Sequence, residues 1–368
     1  MCRIGAIKSK EKIHPSFALK LMRSQQEGHD DSGFAFVMQD MGGLFENYKD
    51  LPLLSMAATV EGTRLAEDIL RDLGFARVMQ WSPNIKNKRG LKIEAMPNYV
   101  FEVLQYPRSY KHATKSEKEA LLVDTAIKLR NALEETNAGY IYSFWPDVLT
   151  LKEIGSPKDI GTYFDLWEGN KDLTSSIITA QCRQNTNYDI VRYAAHPFFI
   201  EGYTGLVNGE NTFFEKNKYY QKQLYKGYIG FESDSQCLLY TLHYINKILG
   251  WPLKYFKHTI TPLEYDEIMK REDREILLRI KASLAHLEIN GPNTFLGVTP
   301  NKELLCVCDS KKLRPIVIGQ DKTKVIMTSE VVGINDLMPD RDTTKDIYPK
   351  ENETIVVKDD LTVERWIQ

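Results

Sequence analysis

Cysteine stands second in this chain, in the run Met1-Cys2-Arg3-Ile4-Gly5-Ala6-Ile7. With Met1 removed, Cys2 carries a thiol and a free α-amine on one residue. Unperturbed, these groups titrate near ~8.5 and ~7.7–8.0, so the amine can be neutral near neutral pH and serve as a local base. A nucleophile is weak at its free pKa and gains from such a base. The alternative is an ordinary cysteine that happens to fall second, one of five Cys in the 368 residues. Cys2 therefore needs companions, and four segments offer them. Gln181-Cys182-Arg183-Gln184-Asn185-Thr186-Asn187 sets an arginine at a strand end with a threonine three residues on. Val207-Asn208-Gly209-Glu210-Asn211-Thr212 holds an Asn-Gly pair, Ser233-Asp234-Ser235 opens a helix, and Asn290-Gly291-Pro292 makes a turn. Each has an ordinary structural role as well. Asn-Gly is a common hairpin turn, Ser-Asp-Ser is a common helix start, and Arg183 could pair with a surface carboxylate.

The elements that must position these residues follow from patterning. Residues 1–40 read strand, helix, strand: His14-Pro15-Ser16 opens a helix with Phe17, Leu21 and Met22 on its apolar face, Gly28 is a stop, and Gly33–Met38 returns as a strand. Residues 41–145 differ in texture. One helix there carries Leu65, Ile69, Leu70 and Leu73 and ends at Gly74, and a second opens at the capping box Ser116-x-x-Glu119. An irregular aromatic stretch from Trp81 to Tyr110 lies between them. From about residue 146 strands dominate. Ser176–Gln181 reads as a buried strand, Leu238 to Leu249 as a helix stopped by Gly250, and Thr261-Pro262-Leu263-Glu264 as the start of a helix reaching Leu287. Short strands follow at 293–299, 303–308 and 324–328, and a polar tail from 339 holds a hairpin around Thr354–Val363. The pattern predicts a mixed α+β fold without internal repeats.

Composition narrows the function. A hydrophobic content of 42% with 27% charged residues is that of a globular protein. The formal charge of −2 gives no electrostatic case for nucleic acid or an anionic membrane. The basic run Lys86-Asn87-Lys88-Arg89 reads as a solvated loop, and no run approaches the ~20 apolar residues that span a bilayer. No signal peptide precedes the first strand, so cytoplasmic residence is expected. The cysteines lack C-x-x-C spacing, and Cys306-x-Cys308 reads as one face of a strand; no metal site is expected.

Taken together, the motifs resemble a known family. The chain resembles the class II glutamine amidotransferases, the N-terminal-nucleophile type, and within them the amidotransferase part of glutamate synthase. The family pattern of a Cys after Met, then R-x-x-T, N-G-E and S-D-S falls here at Cys2, Arg183 with Thr186, Asn208-Gly209-Glu210 and Ser233-Asp234-Ser235. The run Arg183–Asn187 with Ala195-His196-Pro197-Phe198 resembles the glutamate synthase R-x-x-T-N…Q-P-F string, and Asn208–Thr212 its N-G-E-I-N-T. Asn290-Gly291-Pro292, Leu313-Arg314-Pro315 and Ser329-Glu330-Val331 resemble its D-G-P, L-R-P and S-E-V landmarks in order. The resemblance covers about 1–40 and 146–335. Residues 41–145 are read as an insertion within the amidotransferase domain 1–335, and 336–368 as a tail. Two positions depart from the pattern: Gln26-Glu27-Gly28 stands where the family has H-R-G, and His196 where it has glutamine.

The resemblance implies a four-layer αββα sandwich with Cys2 on its opening strand, and a pocket for glutamine. Arg183 is suited to the α-carboxylate because its guanidinium fork matches that group, and Thr186 could add a hydroxyl donor. Asp234 is suited to the α-ammonium. Asn208 and the Gly209 N–H would form the oxyanion hole, with Cys2 as nucleophile. The chain has no cysteine pattern for iron–sulfur clusters and no G-x-G-x-x-G fingerprint. It is therefore expected to hold no cofactor itself and to act as the ammonia-donating glutaminase subunit beside a flavin-dependent synthase subunit, which would carry FMN with or without iron–sulfur clusters. An amidotransferase for another acceptor and a non-catalytic glutamine-binding regulatory subunit are the alternatives.

Overall fold

The computed structural model describes residues 2–25, 30–85, 91, 96–167, 172–185, 190–224 and 233–367. The first half runs β1 (Arg3–Ile13), α1 (Ser16–Arg23), β2 (Phe34–Gly43), β3 (Pro52–Ala58), α2 (Val60–Asp72), β4 (Ala76–Trp81), β5 (Asn98–Gln105), α3 (Lys115–Glu135), β6 (Gly139–Pro146), β7 (Val148–Glu153), α4 (Pro157–Tyr163) and β8 (Leu173–Cys182). Next come β9 (Phe198–Ile200), β10 (Tyr203–Gly209), α5 (Phe214–Leu224), α6 (Ser235–His243), α7 (Lys254–Ile260), α8 (Tyr265–Ile268) and α9 (Arg274–Ser283). The chain closes with β11 (Asn293–Val298), β12 (Leu304–Cys308), β13 (Val317–Gln320), β14 (Lys324–Thr328), α10 (Val331–Leu337), β15 (Glu353–Val357) and β16 (Val363–Ile367).

Two six-stranded antiparallel sheets form the centre, one ordered β13-β14-β1-β8-β2-β7 and the other β16-β15-β12-β11-β10-β9. Alternation along β1 decides how they stack, because successive side chains leave opposite faces. Ile4 and Ala6 enter an apolar layer shared with Leu206, Leu296, Val298, Cys306, Cys308 and Ile355 of the second sheet. Ile7 leaves the other face and meets Ala18, Leu19 and Met22 of α1. Helices α1, α4 and α10 cover the outer side of the first sheet, and α5, α6 and α7 that of the second. The result is the expected four-layer αββα sandwich. Both β15 and β16 belong to the second sheet, with Leu304 paired to Val357 and Val357 to Val363. The hairpin at the end of the polar tail is therefore part of the sandwich.

Two expectations need correction. The Trp81–Tyr110 stretch is irregular only in part: Asn98–Gln105 within it forms β5, and β4 and β5 join β3 and β6 in a third sheet ordered β4-β5-β3-β6. With α2 and α3 this is a split βαβ arrangement repeated once, β-α-β-β-α-β. One face buries Leu54, Met56, Val100 and Leu104 under Ala66, Leu70, Leu122 and Leu129. The other face seats against the sandwich, where Tyr99 meets the Phe164 ring edge-on at 4.7 Å. Helix α3 is capped by Thr114 with Glu117, two residues earlier than expected. The second correction concerns 261–287. Thr261 is the C-cap of α7 and not a helix start (φ −140°, ψ 80°), Glu264 takes the cap with Glu267, and the helix breaks between α8 and α9. Apolar spacing lapses there at Lys270–Asp273, and Arg271 instead donates to Asp273 Oδ1 at 2.9 Å. Among the described residues no helix is long and apolar enough to cross a membrane.

Candidate active site

Cys2 lies just before β1 and is half-buried. Its Sγ accepts from the Gln184 N–H at 3.3 Å and donates to the Gln184 carbonyl at 3.5 Å. Arg3 pairs with Cys182 across β1 and β8, which sets Cys2 opposite Arg183. Both stand in the inward row that follows Ile4 and Gln181. Arg183 is 5% exposed, its own N–H donates to Gly33 O at 2.7 Å, and its Nη2 donates to Asn185 Oδ1 at 2.9 Å. Burial lowers the Arg183 pKa, opposed by Cys2, Asp30 and Asp234. Burial likewise pushes the Cys2 thiol up, with the Gln184 N–H and the Arg183 charge opposing and Asp234 adding to the rise. These mutual influences place Cys2, Arg183 and Asp234 within electrostatic reach of one another.

The second sheet supplies the facing wall. Gln39, paired with Ile177, donates through Nε2 to Gly202 O at 3.1 Å, and Gln181 Nε2 donates to Val207 O at 3.3 Å, so β10 runs alongside β8 and the next inward row of the first sheet, Cys2 with Arg183, falls towards Asn208 and Gly209. Asn208 is 1% exposed, and its Nδ2 has no hydrogen-bond partner among the described residues. A buried donor left unpaired costs about 1–3 kcal/mol, and this one is a donor available to a bound group. Gly209 has φ +154°, and a Cβ there would fall 2.0 Å from the Pro292 carbonyl oxygen. Glycine is required at this point because the backbone approaches so closely. The turn Asn290–Pro292 braces the strand end, since the Glu210 N–H donates to Pro292 O at 3.0 Å and the Thr212 N–H to Asn290 O at 2.7 Å.

Asp234 precedes α6 and is 6% exposed. Its Oδ2 accepts from the Asn211 N–H at 2.7 Å, and its Oδ1 accepts from the Ser233 and Ser235 hydroxyls at 3.3 Å each. Burial raises its pKa, and these hydrogen bonds oppose the rise. The Asn211 bond ties Asp234 to the loop that leaves Asn208-Gly209.

One end of the sandwich thus gathers a thiol, a guanidinium, a carboxylate, an unpaired amide donor and a tightly constrained glycine: Cys2, Arg183, Asp234, Asn208 and Gly209. Thr186 and the segment Gln26-Glu27-Gly28 lie outside the described residues. Sequence reasoning missed the main chain of Gln184 on the sulfur, and Asp30, which accepts from the Asn185 N–H at 3.1 Å. Only adjacency to Arg183 could have suggested Gln184. Ser329, from the S-E-V landmark, also serves the site indirectly: its Oγ accepts from the Ile4 N–H at 3.0 Å, while Glu330 pairs with Arg3. Among the described residues no group of three or more His, Cys, Asp or Glu could hold a metal ion.

No family model matches the chain. It is 28% identical over 240 residues to an uncharacterised protein of Archaeoglobus fulgidus, covering 64% of this chain and 62% of that one. A solved structure described as the allosteric regulatory enzyme of purine biosynthesis is similar with a TM-score of 0.50 at 13% identity, over 99% of this chain and 48% of that chain. Glutamine phosphoribosylpyrophosphate amidotransferase from B. subtilis, complexed with ADP and GMP, is similar with a TM-score of 0.46 at 13% identity, over 99% and 49% of the two chains. The chain spans about half the length of these two solved structures and less than two thirds of the Archaeoglobus protein. The likeness is one of fold, a mixed helix and antiparallel-sheet sandwich.

Proposed function

We propose that this chain hydrolyses the side-chain amide of glutamine through Cys2 and donates the ammonia released, as the glutaminase subunit of a multi-subunit glutamate synthase. The observation that carries the hydrolytic reading is the buried, unpaired Asn208 amide beside Gly209, towards which Cys2 and Arg183 fall. An oxyanion hole needs donors aimed where charge develops in the transition state and unoccupied before it. With Met1 removed, the Cys2 α-amine takes the thiol proton as sulfur attacks the amide carbon. Asn208 Nδ2 and the Gly209 N–H would receive the oxyanion. Collapse expels ammonia with the returned proton and leaves a γ-glutamyl thioester, which water cleaves to glutamate. Arg183 would grip the substrate α-carboxylate and Asp234 its α-ammonium, with Thr186 a further donor. No step needs a cofactor in this chain.

The synthase role is supported by the landmark strings. Asn290–Pro292 and Ser329–Glu330 brace the two strand ends that carry the site, and Leu313-Arg314-Pro315 lies alongside, where Arg314 O accepts from Thr294 Oγ1 at 3.2 Å. Intact mass tests the first requirement, since the active chain must lack Met1. Cys2→Ala must abolish glutamine hydrolysis without lowering Tm, and hydrolysis at the parent rate would refute the nucleophile. For the acceptor, the chain should support glutamine-dependent glutamate formation from 2-oxoglutarate when mixed with an FMN-containing synthase subunit. Ammonia used equally well from solution, with no gain from this chain, would refute that role.

A further inference from the structure

Three parts of the site meet at one imidazole. His196, 5% exposed, lies in the segment that leads into β9. Its own N–H donates to Gln181 Oε1 at 2.7 Å, which fixes the Gln181 amide with Nε2 towards the ring. The ring Nδ1 then faces two donors, Gln181 Nε2 at 3.0 Å and the Val207 N–H at 3.2 Å. A main-chain N–H cannot accept, so the hydrogen-bond network assigns the neutral tautomer with its proton on Nε2. Nε2–H points to Ser233 Oγ at 3.3 Å, and the Ser233 hydroxyl donates to Asp234 Oδ1 at 3.3 Å. Burial holds the imidazole well below its ordinary pKa, with the Lys152 and Arg183 charges adding to the fall. Lys152 pins the segment from behind, donating to the carbonyls of Tyr193 at 3.0 Å and Ala195 at 2.6 Å under the Phe198 ring.

We infer that His196 is a positioning residue that couples the two halves of the glutamine site, and this rests on the glutaminase reading. Through Nδ1 it sets Val207, the residue immediately before the oxyanion donor Asn208. Through Nε2 and Ser233 it orients the Asp234 carboxylate that would receive the α-ammonium. One ring therefore fixes both where charge develops on the reacting amide and where the far end of the substrate is held. A glutamine at this position preserves the logic, because its Oε1 can accept from the Val207 N–H while its Nε2 donates to Ser233 Oγ. Leucine, similar in bulk, preserves neither bond.

The test compares three variants of the full chain, with Met1 removed, by steady-state glutamine hydrolysis. His196→Leu should lower kcat and raise KM, each by roughly tenfold or more. His196→Gln should stay within about threefold of the parent on both. Ser233→Ala, which cuts only the branch to Asp234, should raise KM and leave kcat within about twofold. A His196→Gln variant as impaired as His196→Leu, or a Ser233→Ala variant that loses kcat in step with KM, overturns the coupling. If His196→Leu does not fold, the other two variants still decide. Independently of activity, ring 15N shifts should show one imidazole locked as the Nε2–H tautomer from about pH 5 to 9; a ring that titrates in that range overturns the assignment. Parent activity and its loss in Cys2→Ala report on the glutaminase reading alone.

Discussion

Replacing Asn208 with leucine should move activity and stability in opposite directions. The residue is 1% exposed and its Nδ2 has no hydrogen-bond partner among the described residues. A buried unpaired donor costs about 1–3 kcal/mol, whereas an apolar group of similar shape carries no such charge against the fold. Asn208→Leu should therefore leave Tm unchanged or raise it by a few degrees. The same change removes a donor to the developing oxyanion, worth about 2.7–4 kcal/mol, or ~10²–10³ in kcat. KM should hardly move, because the donor acts on charge that the bound substrate does not yet carry. Glutamate release followed in a coupled assay gives both constants, and a thermal melt gives Tm. Hydrolysis at the parent rate would remove Asn208 from the oxyanion hole. A clear fall in Tm would show that the amide is paired in the resting protein, and the argument from its isolation would collapse.

Other outcomes follow from neighbouring geometry. Gly209→Ala meets the Pro292 carbonyl at 2.0 Å in a backbone region that side chains avoid, so kcat should collapse and the fold lose at least about 1–3 kcal/mol; a variant with parent kinetics would refute the close approach. Arg183→Ala should raise KM for glutamine by roughly 10–100-fold, with Arg183→Lys recovering little because an ammonium cannot present the guanidinium fork; an unchanged KM would take Arg183 out of the pocket. Because burial lifts the Cys2 thiol pKa, alkylation by iodoacetamide should be slow at neutral pH and rise about tenfold per pH unit towards pH 9; a plateau near pH 7 would contradict this. Asp147→Asn tests linkage: burial lifts that carboxyl to about 6, with Asp40 adding and the Met41 N–H, Lys302 and Lys49 opposing. The folded state then binds more protons than an unfolded carboxyl near ~3.9, so stability falls as pH rises between those values. The asparagine keeps an acceptor for the Met41 N–H and tolerates φ +60°. Its Tm gain should be present at pH 8 and vanish by about pH 4, and a gain equal at both would refute the linkage.

Local signals carried much of the fold. The apolar run of β1, the buried run of β8 and the Ser233-Asp234-Ser235 start of α6 are short-range patterns, and the structure keeps them. The proximity of Cys2, Arg183, Asn208, Gly209 and Asp234 was legible through family-like strings, since nothing in residues 2 and 208 taken alone says that their strands face each other. What stayed hidden is set by distant partners. Strand β13 has four residues and exists because Val317–Gln320 lines up with β14. Strand β4 has exposed side chains at most positions and pairs on one side with β5. The α8–α9 break followed from a lapse in apolar spacing that the strong Thr-Pro-Leu-Glu start obscured. The His196 network joins residues from three elements at contacts no linear pattern encodes.

The pairing of β1 has a temporal consequence. Gly5 lies between Ala180 on one side and Thr328 on the other. During synthesis, then, the strand following Cys2 cannot gain its second neighbour until Thr328 has been made, and long-range antiparallel pairing of this kind is slow. Until then β1 can be held on its β8 side alone, so the segment that carries Cys2 is clamped from both sides only when β14 arrives.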